Sequence, residues 1–118
     1  MTEQATVGNV LYPVSDVDAA VKFYESVLNL RTKFQDGSRF AALDGGKVTV
    51  AIAGAEEDVT GGLVAASFKV GDVSAAVEEA VAQGATIVRE SEEGPHETRA
   101  VVRDPWGNAV VLYAPTPQ

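Results

Sequence analysis

The sequence contains no cysteine and only one histidine, His96. The lack of thiols excludes disulfides, cysteine nucleophiles and thiolate metal sites together. Nine Lys and Arg residues against 17 Asp and Glu residues give a net charge of −8 without a basic cluster, so we expect no nucleic-acid partner. No apolar run approaches the roughly 20 residues of a membrane span. The first residues lack a basic-then-apolar signal, so we expect a cytoplasmic protein with no membrane partner.

The sequence does contain an internal repeat. Residues 14–21 read Val-Ser-Asp-Val-Asp-Ala-Ala-Val, and residues 70–77 read Val-Gly-Asp-Val-Ser-Ala-Ala-Val. In each copy a predicted strand ends at Val, an Asp caps the next helix, and Ala-Ala-Val opens the buried face of that helix. The repeat therefore predicts the same arrangement in both halves of the chain.

Alternation and helical spacing extend each copy to a strand, a helix and three further strands. First-half strands are predicted at residues 7–14, 30–35, 39–43 and 47–53. Second-half strands are predicted at residues 63–70, 85–89, 98–103 and 109–114, with a charged loop at 90–97 and a turn at 104–108. The first helix starts at Asp16, with an apolar stripe at Val17, Ala20, Val21, Tyr24, Val27 and Leu28. The second is capped by Asp72 and ends at Gly84.

These elements predict an α+β fold in a single domain spanning residues 1–118. One βαβββ module covers about 7–55, a linker covers 56–62, and a second module covers about 63–114. We expect the modules to form a curved eight-stranded mixed sheet around a concave cavity, with the helices outside. A small-molecule ligand would bind in that cavity.

The ordered motifs also resemble a known family. They are the repeat, the segment Phe-Tyr-Glu-Ser-Val-Leu-Asn-Leu at 23–30, Gly-Ala at 84–85, and Arg-Asp-Pro-Trp-Gly-Asn at 103–108 followed by Val-Leu at 111–112. Together they resemble the vicinal oxygen chelate superfamily, which contains glyoxalases, bleomycin-resistance proteins and dioxygenases. The resemblance implies the doubled βαβββ fold over nearly the whole chain.

The resemblance also implies a divalent metal held by four His or Glu side chains from the first and last strands of each module. The first-strand positions match Asn9 and Ala65. The last-strand positions match Val111 and one residue among 49–51, which are Thr, Val and Ala. None is a histidine or a carboxylate, whereas a catalytic divalent ion needs about three protein ligands. We therefore predict no metal at these positions and no other cofactor.

Two functions remain open. The bleomycin-resistance branch, whose members bind drugs without chemistry, favours a metal-free protein that sequesters a hydrophobic or aromatic small molecule, with antibiotic resistance as its role. The alternative is a glyoxalase-like lyase, isomerase or dioxygenase with a non-standard site. There His96, oriented by Glu93 or Glu97, would be the best candidate catalytic base, or part of a relocated metal site. We favour an exposed loop position for His96.

Strand alternation selects candidate ligand-binding residues on the predicted cavity face. They are Asn9, Leu11, Phe40, Ser67, Arg99, Val111 and Tyr113. Arg99 would bind an anionic or carbonyl group of the ligand. The resemblance further implies a homodimer, and such pairing would cover exposed sheet edges.

Overall fold

The chain folds as a strand, a helix and three strands, and then repeats that order. A computed structural model describes residues 4–116. The first set is β1 (Thr6–Pro13), α1 (Val17–Leu28), β2 (Arg31–Asp36), β3 (Phe40–Asp44) and β4 (Thr49–Ala53). The second set is β5 (Ala65–Lys69), α2 (Val73–Ala82), β6 (Thr86–Glu93), β7 (Glu97–Arg103) and β8 (Ala109–Pro115). The predicted α+β class with mixed strand pairing is confirmed.

Contacts divide the chain into two compact units. Among the described residues, one unit comprises 9–64, and the other comprises 65–116 together with 4–8. We call them the first unit and the second unit. Neither helix within residues 4–116 is both long and apolar enough to cross a membrane.

The strands of the first unit are ordered β2-β3-β4-β1, with β1 parallel to β4 and the other pairs antiparallel. Val17 and Val21 of α1 pack with Ala41, Leu43 and Ile52 in a cluster of buried residues. Side chains alternate along each strand, so this cluster uses one face of the sheet and leaves the other face free of the helix.

Helix α1 begins as the sequence predicts, because the Asp16 carboxylate accepts a hydrogen bond from the backbone N–H of Ala19 at 3.0 Å. The predicted apolar stripe is wrong at its far end, since Val27 is 60% exposed and Leu28 is 58% exposed. Val27 lies six residues after Val21, which rotates it about 120° away from the buried face. Leu28 is the last helical residue and lies outside the buried cluster.

The strands of the second unit are ordered β5-β8-β7-β6, with β5 parallel to β8. Val73 and Val77 of α2 pack against Ala100, Val102 and Leu112 on one sheet face. The Asp72 carboxylate caps α2 through the backbone N–H of Ala75 at 3.0 Å. The predicted turn at 104–108 is present, and the Asp104 carboxylate accepts hydrogen bonds from the backbone N–H groups of Trp106 and Asn108.

The charged loop predicted at 90–97 is wrong, because most of it is strand. β6 continues to Glu93 and β7 begins at Glu97, so only residues 94–96 connect the two strands. Glu92 lies opposite Arg99, and such cross-strand pairs of opposite charge stabilise a sheet. Cross-strand pairing here overrides the low strand propensity of glutamate.

Candidate functional site

Four predicted ligand-binding residues lie on one face of the second unit's sheet. Ser67 is paired with Val111 across β5 and β8, and Arg99 is paired with Tyr113 across β7 and β8. Because the neighbouring position Leu112 packs against α2, alternation places Val111 and Tyr113 on the face away from the helix. Ser67 and Val111 are buried, with 4% and 3% exposure.

Arg99, which is paired with Tyr113 across β7 and β8, has a guanidinium that is partly neutralised. Its Nη1 atom is 3.7 Å from a carboxylate oxygen of Glu97, two residues earlier on the same strand. Both side chains remain partly exposed, so this ion pair is weak and exchangeable. A ligand carboxylate or carbonyl oxygen could therefore compete with Glu97 for Arg99.

Tyr113 is held closely by the start of β1. A Cβ atom placed on Gly8 would collide with the Tyr113 hydroxyl oxygen and would lie 2.8 Å from Cζ of the ring. Burial raises the pKa of Tyr113, and the Glu97 carboxylate raises it further. Tyr113 is therefore a neutral phenol at physiological pH and can donate a hydrogen bond.

The other predicted binding residues lie in the first unit. Asn9 is paired with Thr49, and Leu11 with Ala51, along the parallel β1 and β4 strands. Leu11 is buried, and Phe40 lies at the start of β3 opposite Ala53. The Thr49 hydroxyl accepts a hydrogen bond from Nζ of Lys33 at 2.5 Å.

His96 lies at the short connection between β6 and β7 and is exposed. Its backbone carbonyl accepts a hydrogen bond from the backbone N–H of Thr116 at 2.9 Å, which ties this connection to the end of β8. Glu97, one of its two proposed orienting carboxylates, lies beside Arg99. The assignment of a catalytic role to His96 stays a prediction.

The sequence matches a family model over most of its length. The model of the Glyoxalase/Bleomycin resistance protein/Dioxygenase superfamily covers residues 6–112. The chain belongs to this superfamily. The resemblance inferred from the repeat and the motif at 103–108 is therefore confirmed.

Individual relatives agree with this membership. An uncharacterized protein of Mycolicibacterium smegmatis is 42% identical over 106 residues, which is 90% of each chain. A superfamily member from Vibrio splendidus 12B01 has a TM-score of 0.68 at 21% identity, covering 94% of this chain and 99% of that chain. A methylmalonyl-CoA epimerase from Streptomyces coelicolor has a TM-score of 0.73 at 17% identity, covering 98% and 100%. At these identities the two structural matches show a shared fold.

The residues that the resemblance places at metal-ligand positions offer no carboxylate or imidazole to a divalent ion. The resemblance places Asn9, Ala65 and Val111 at three of them and the fourth among Thr, Val and Ala at 49–51, and this placement stays a prediction. Within residues 4–116, no three His, Cys, Asp or Glu side chains lie close enough together to hold a metal. We therefore assign no step at this site to a metal.

Two features of the site escaped the sequence analysis. The close contact between Gly8 and Tyr113 joins residues that are far apart in the chain, although a glycine within a strand is a known sign of close approach. The sequence does not predict the ion pair between Glu97 and Arg99, because local composition favours a loop at Glu97. Within the second unit, Arg99 and Tyr113 therefore share a sheet face with the buried side chain of Val111.

Proposed function

We propose that this superfamily member is a small-molecule binding protein that holds a hydrophobic or aromatic ligand without a metal. The observation that supports it is the face shared by Ser67, Val111, Arg99 and Tyr113, which offers hydrogen-bond donors beside a buried valine. The valine occupies a position where the superfamily resemblance implies a metal ligand. Because Arg99 and Tyr113 both donate, the best ligand carries an anionic or carbonyl group on an apolar body.

The ligand class can be tested by titrating the purified, untagged protein with 1-naphthoate and with the uncharged 1-naphthalenemethanol, using isothermal calorimetry. We expect naphthoate to bind more tightly, and Arg99→Gln to remove that preference. Arg103→Gln is the matched control, because Arg103 lies four residues further along β7 and is paired with Ala109 instead of Tyr113. Equal effects of the two variants would contradict the assignment of Arg99.

The absence of metal participation needs a separate experiment. Zinc, nickel, iron and manganese are titrated into the same protein by calorimetry. We expect no binding tighter than roughly millimolar, which corresponds to about −4 kcal/mol. Stoichiometric micromolar binding would contradict the proposal and would favour the alternative, a glyoxalase-like enzyme with a relocated site. His96→Ala would then be expected to weaken metal binding.

The remaining expectations are part of the same proposal. We propose a homodimer, which sedimentation equilibrium tests directly, and a cytoplasmic location, which cell fractionation tests. A role in antibiotic resistance predicts that cells expressing the protein tolerate a higher concentration of an aromatic drug than cells expressing Arg99→Gln.

A further inference from the structure

A groove lies on the helix side of the second unit, on the sheet face opposite to Arg99 and Tyr113. It has a volume of about 770 Å³, which is within the range of drug-sized ligand pockets. Its floor includes Val102, Val110 and Leu112, and its helical wall includes Ala76 and Ala80. We call it the α2 groove. The short alanine side chains leave this space between α2 and the strands.

The charged residues that line the α2 groove are all acidic. They are Asp72, Glu79 and Asp104. The partners that the structure gives their carboxylates are neutral: Glu79 accepts a hydrogen bond from the side-chain amide of Gln83 at 3.0 Å, and Asp104 accepts one from that of Asn108 at 2.9 Å. The groove thus combines an apolar floor with a negatively charged rim.

Trp106 stands next to this rim. It follows Pro105, which lines the groove, and it is 83% exposed. An indole ring is the best aromatic partner for a cation, and an exposed ring can turn toward one. Trp106 is also the only tryptophan in the sequence, so its fluorescence reports on this region alone.

We propose that the α2 groove binds a small hydrophobic cation, meaning an amine or quaternary ammonium ion attached to an apolar chain or ring. The apolar part is buried against the valines and alanines, which gives the affinity. The positive charge lies among the carboxylates of Asp72, Glu79 and Asp104, which gives the selectivity. An anion of the same size is repelled from the same rim. This site is separate from the one proposed at Arg99 and Tyr113, so either assignment can fail without the other.

The test uses three probes of equal chain length: decyltrimethylammonium, decanol and decyl sulfate, each below its micelle-forming concentration. Binding at the groove is followed by Trp106 fluorescence, and calorimetry is done on Arg99→Gln so that anion binding at the separate Arg99 site does not contribute. We expect saturable one-to-one binding of the cation, weaker binding of the alcohol, and the weakest binding of the sulfate. Equal affinity for the cation and the sulfate would overturn the proposal.

Variants distinguish the groove from the general negative charge of the protein. Glu79→Gln should weaken cation binding about two- to fivefold, the range expected for one exposed charge pair, whereas Glu78→Gln, with the same charge change on the neighbouring residue, should leave it unchanged.

A second pair of variants tests the space in the groove. Ala80→Leu fills the groove and should reduce affinity at least about tenfold, while Ala82→Leu, on the same helix outside the groove, should not. If circular dichroism shows that Ala80→Leu unfolds, Gln83→Arg at the rim replaces it and should weaken binding. Equal losses in Glu78→Gln and Glu79→Gln would overturn the proposal.

Discussion

Replacing Gly8 by alanine tests whether Tyr113 is packed as closely as the structure shows. The added Cβ would collide with the Tyr113 hydroxyl oxygen and stand 2.8 Å from Cζ and 3.1 Å from Cε1. Gly8 is not among the residues with positive φ, so alanine introduces no backbone strain. Any loss of stability must therefore come from displacement of the tyrosine ring.

The expected loss follows from two opposing effects. Overpacking a fitted site costs about 1–3 kcal/mol, because side chains or backbone must shift. Alanine in place of glycine recovers about 0.4–1 kcal/mol by reducing the conformational freedom of the unfolded chain. The cost of the collision exceeds this entropic gain, so we expect Gly8→Ala to lower the free energy of unfolding by about 1–2 kcal/mol.

The assay is urea unfolding of a double-mutant cycle that combines Gly8→Ala with Tyr113→Leu. Leucine is too short to reach the alanine, so the cost of alanine at position 8 should vanish or reverse, giving a coupling of at least about 1 kcal/mol. Gly71→Ala is the control, because a Cβ there meets nothing within 4 Å. An equal cost of Gly8→Ala with tyrosine or leucine at position 113 would refute close packing of Tyr113 against Gly8.

Three further predictions concern stability. Ile52→Ala should cost about 2–5 kcal/mol in urea unfolding because Ile52 is fully buried, whereas Val27→Ala should change stability by less than about 0.5 kcal/mol. Asp72→Ala should cost about 0.5–2 kcal/mol through loss of the α2 cap, measured as a lower thermal midpoint. Folding raises the pKa of Tyr113 above its unfolded value of about 10. The contribution of the neutral phenol to stability is therefore complete below the unfolded pKa and is lost as the pH rises through the folded pKa. The free energy of unfolding, measured in urea between about pH 8 and 11, should therefore fall more steeply with pH for the natural protein than for Tyr113→Phe. Equal slopes for the two proteins would contradict this prediction.

The repeat carried most of the information about the fold. Asp16 and Asp72 cap the two helices as predicted, because an N-cap depends on a few neighbouring residues that the sequence shows directly. The same is true of the turn at Asp104. The order of strands and helices followed from these local signals.

Errors arose where distant parts of the chain decide the outcome. Glu92 is in a strand because β7 lies beside it and presents Arg99, which local propensity does not reveal. Leu28 repeats the helical spacing of Val21 yet is exposed, because spacing defines a face but not how far the neighbouring sheet covers it. The contact of Gly8 with Tyr113 is similarly non-local. The roles of the candidate site residues stay predictions.

The parallel pairing of the first and last strands in each set bears on how the protein folds. The antiparallel neighbours are close in sequence, but Asn9 meets Thr49 across 40 positions and Ser67 meets Val111 across 44. Chain entropy must be lost before such distant pairs gain any contact energy, so these closures should come late, after the hairpins and helices. Destabilising substitutions in β1 or β5 should then accelerate unfolding more than they slow refolding.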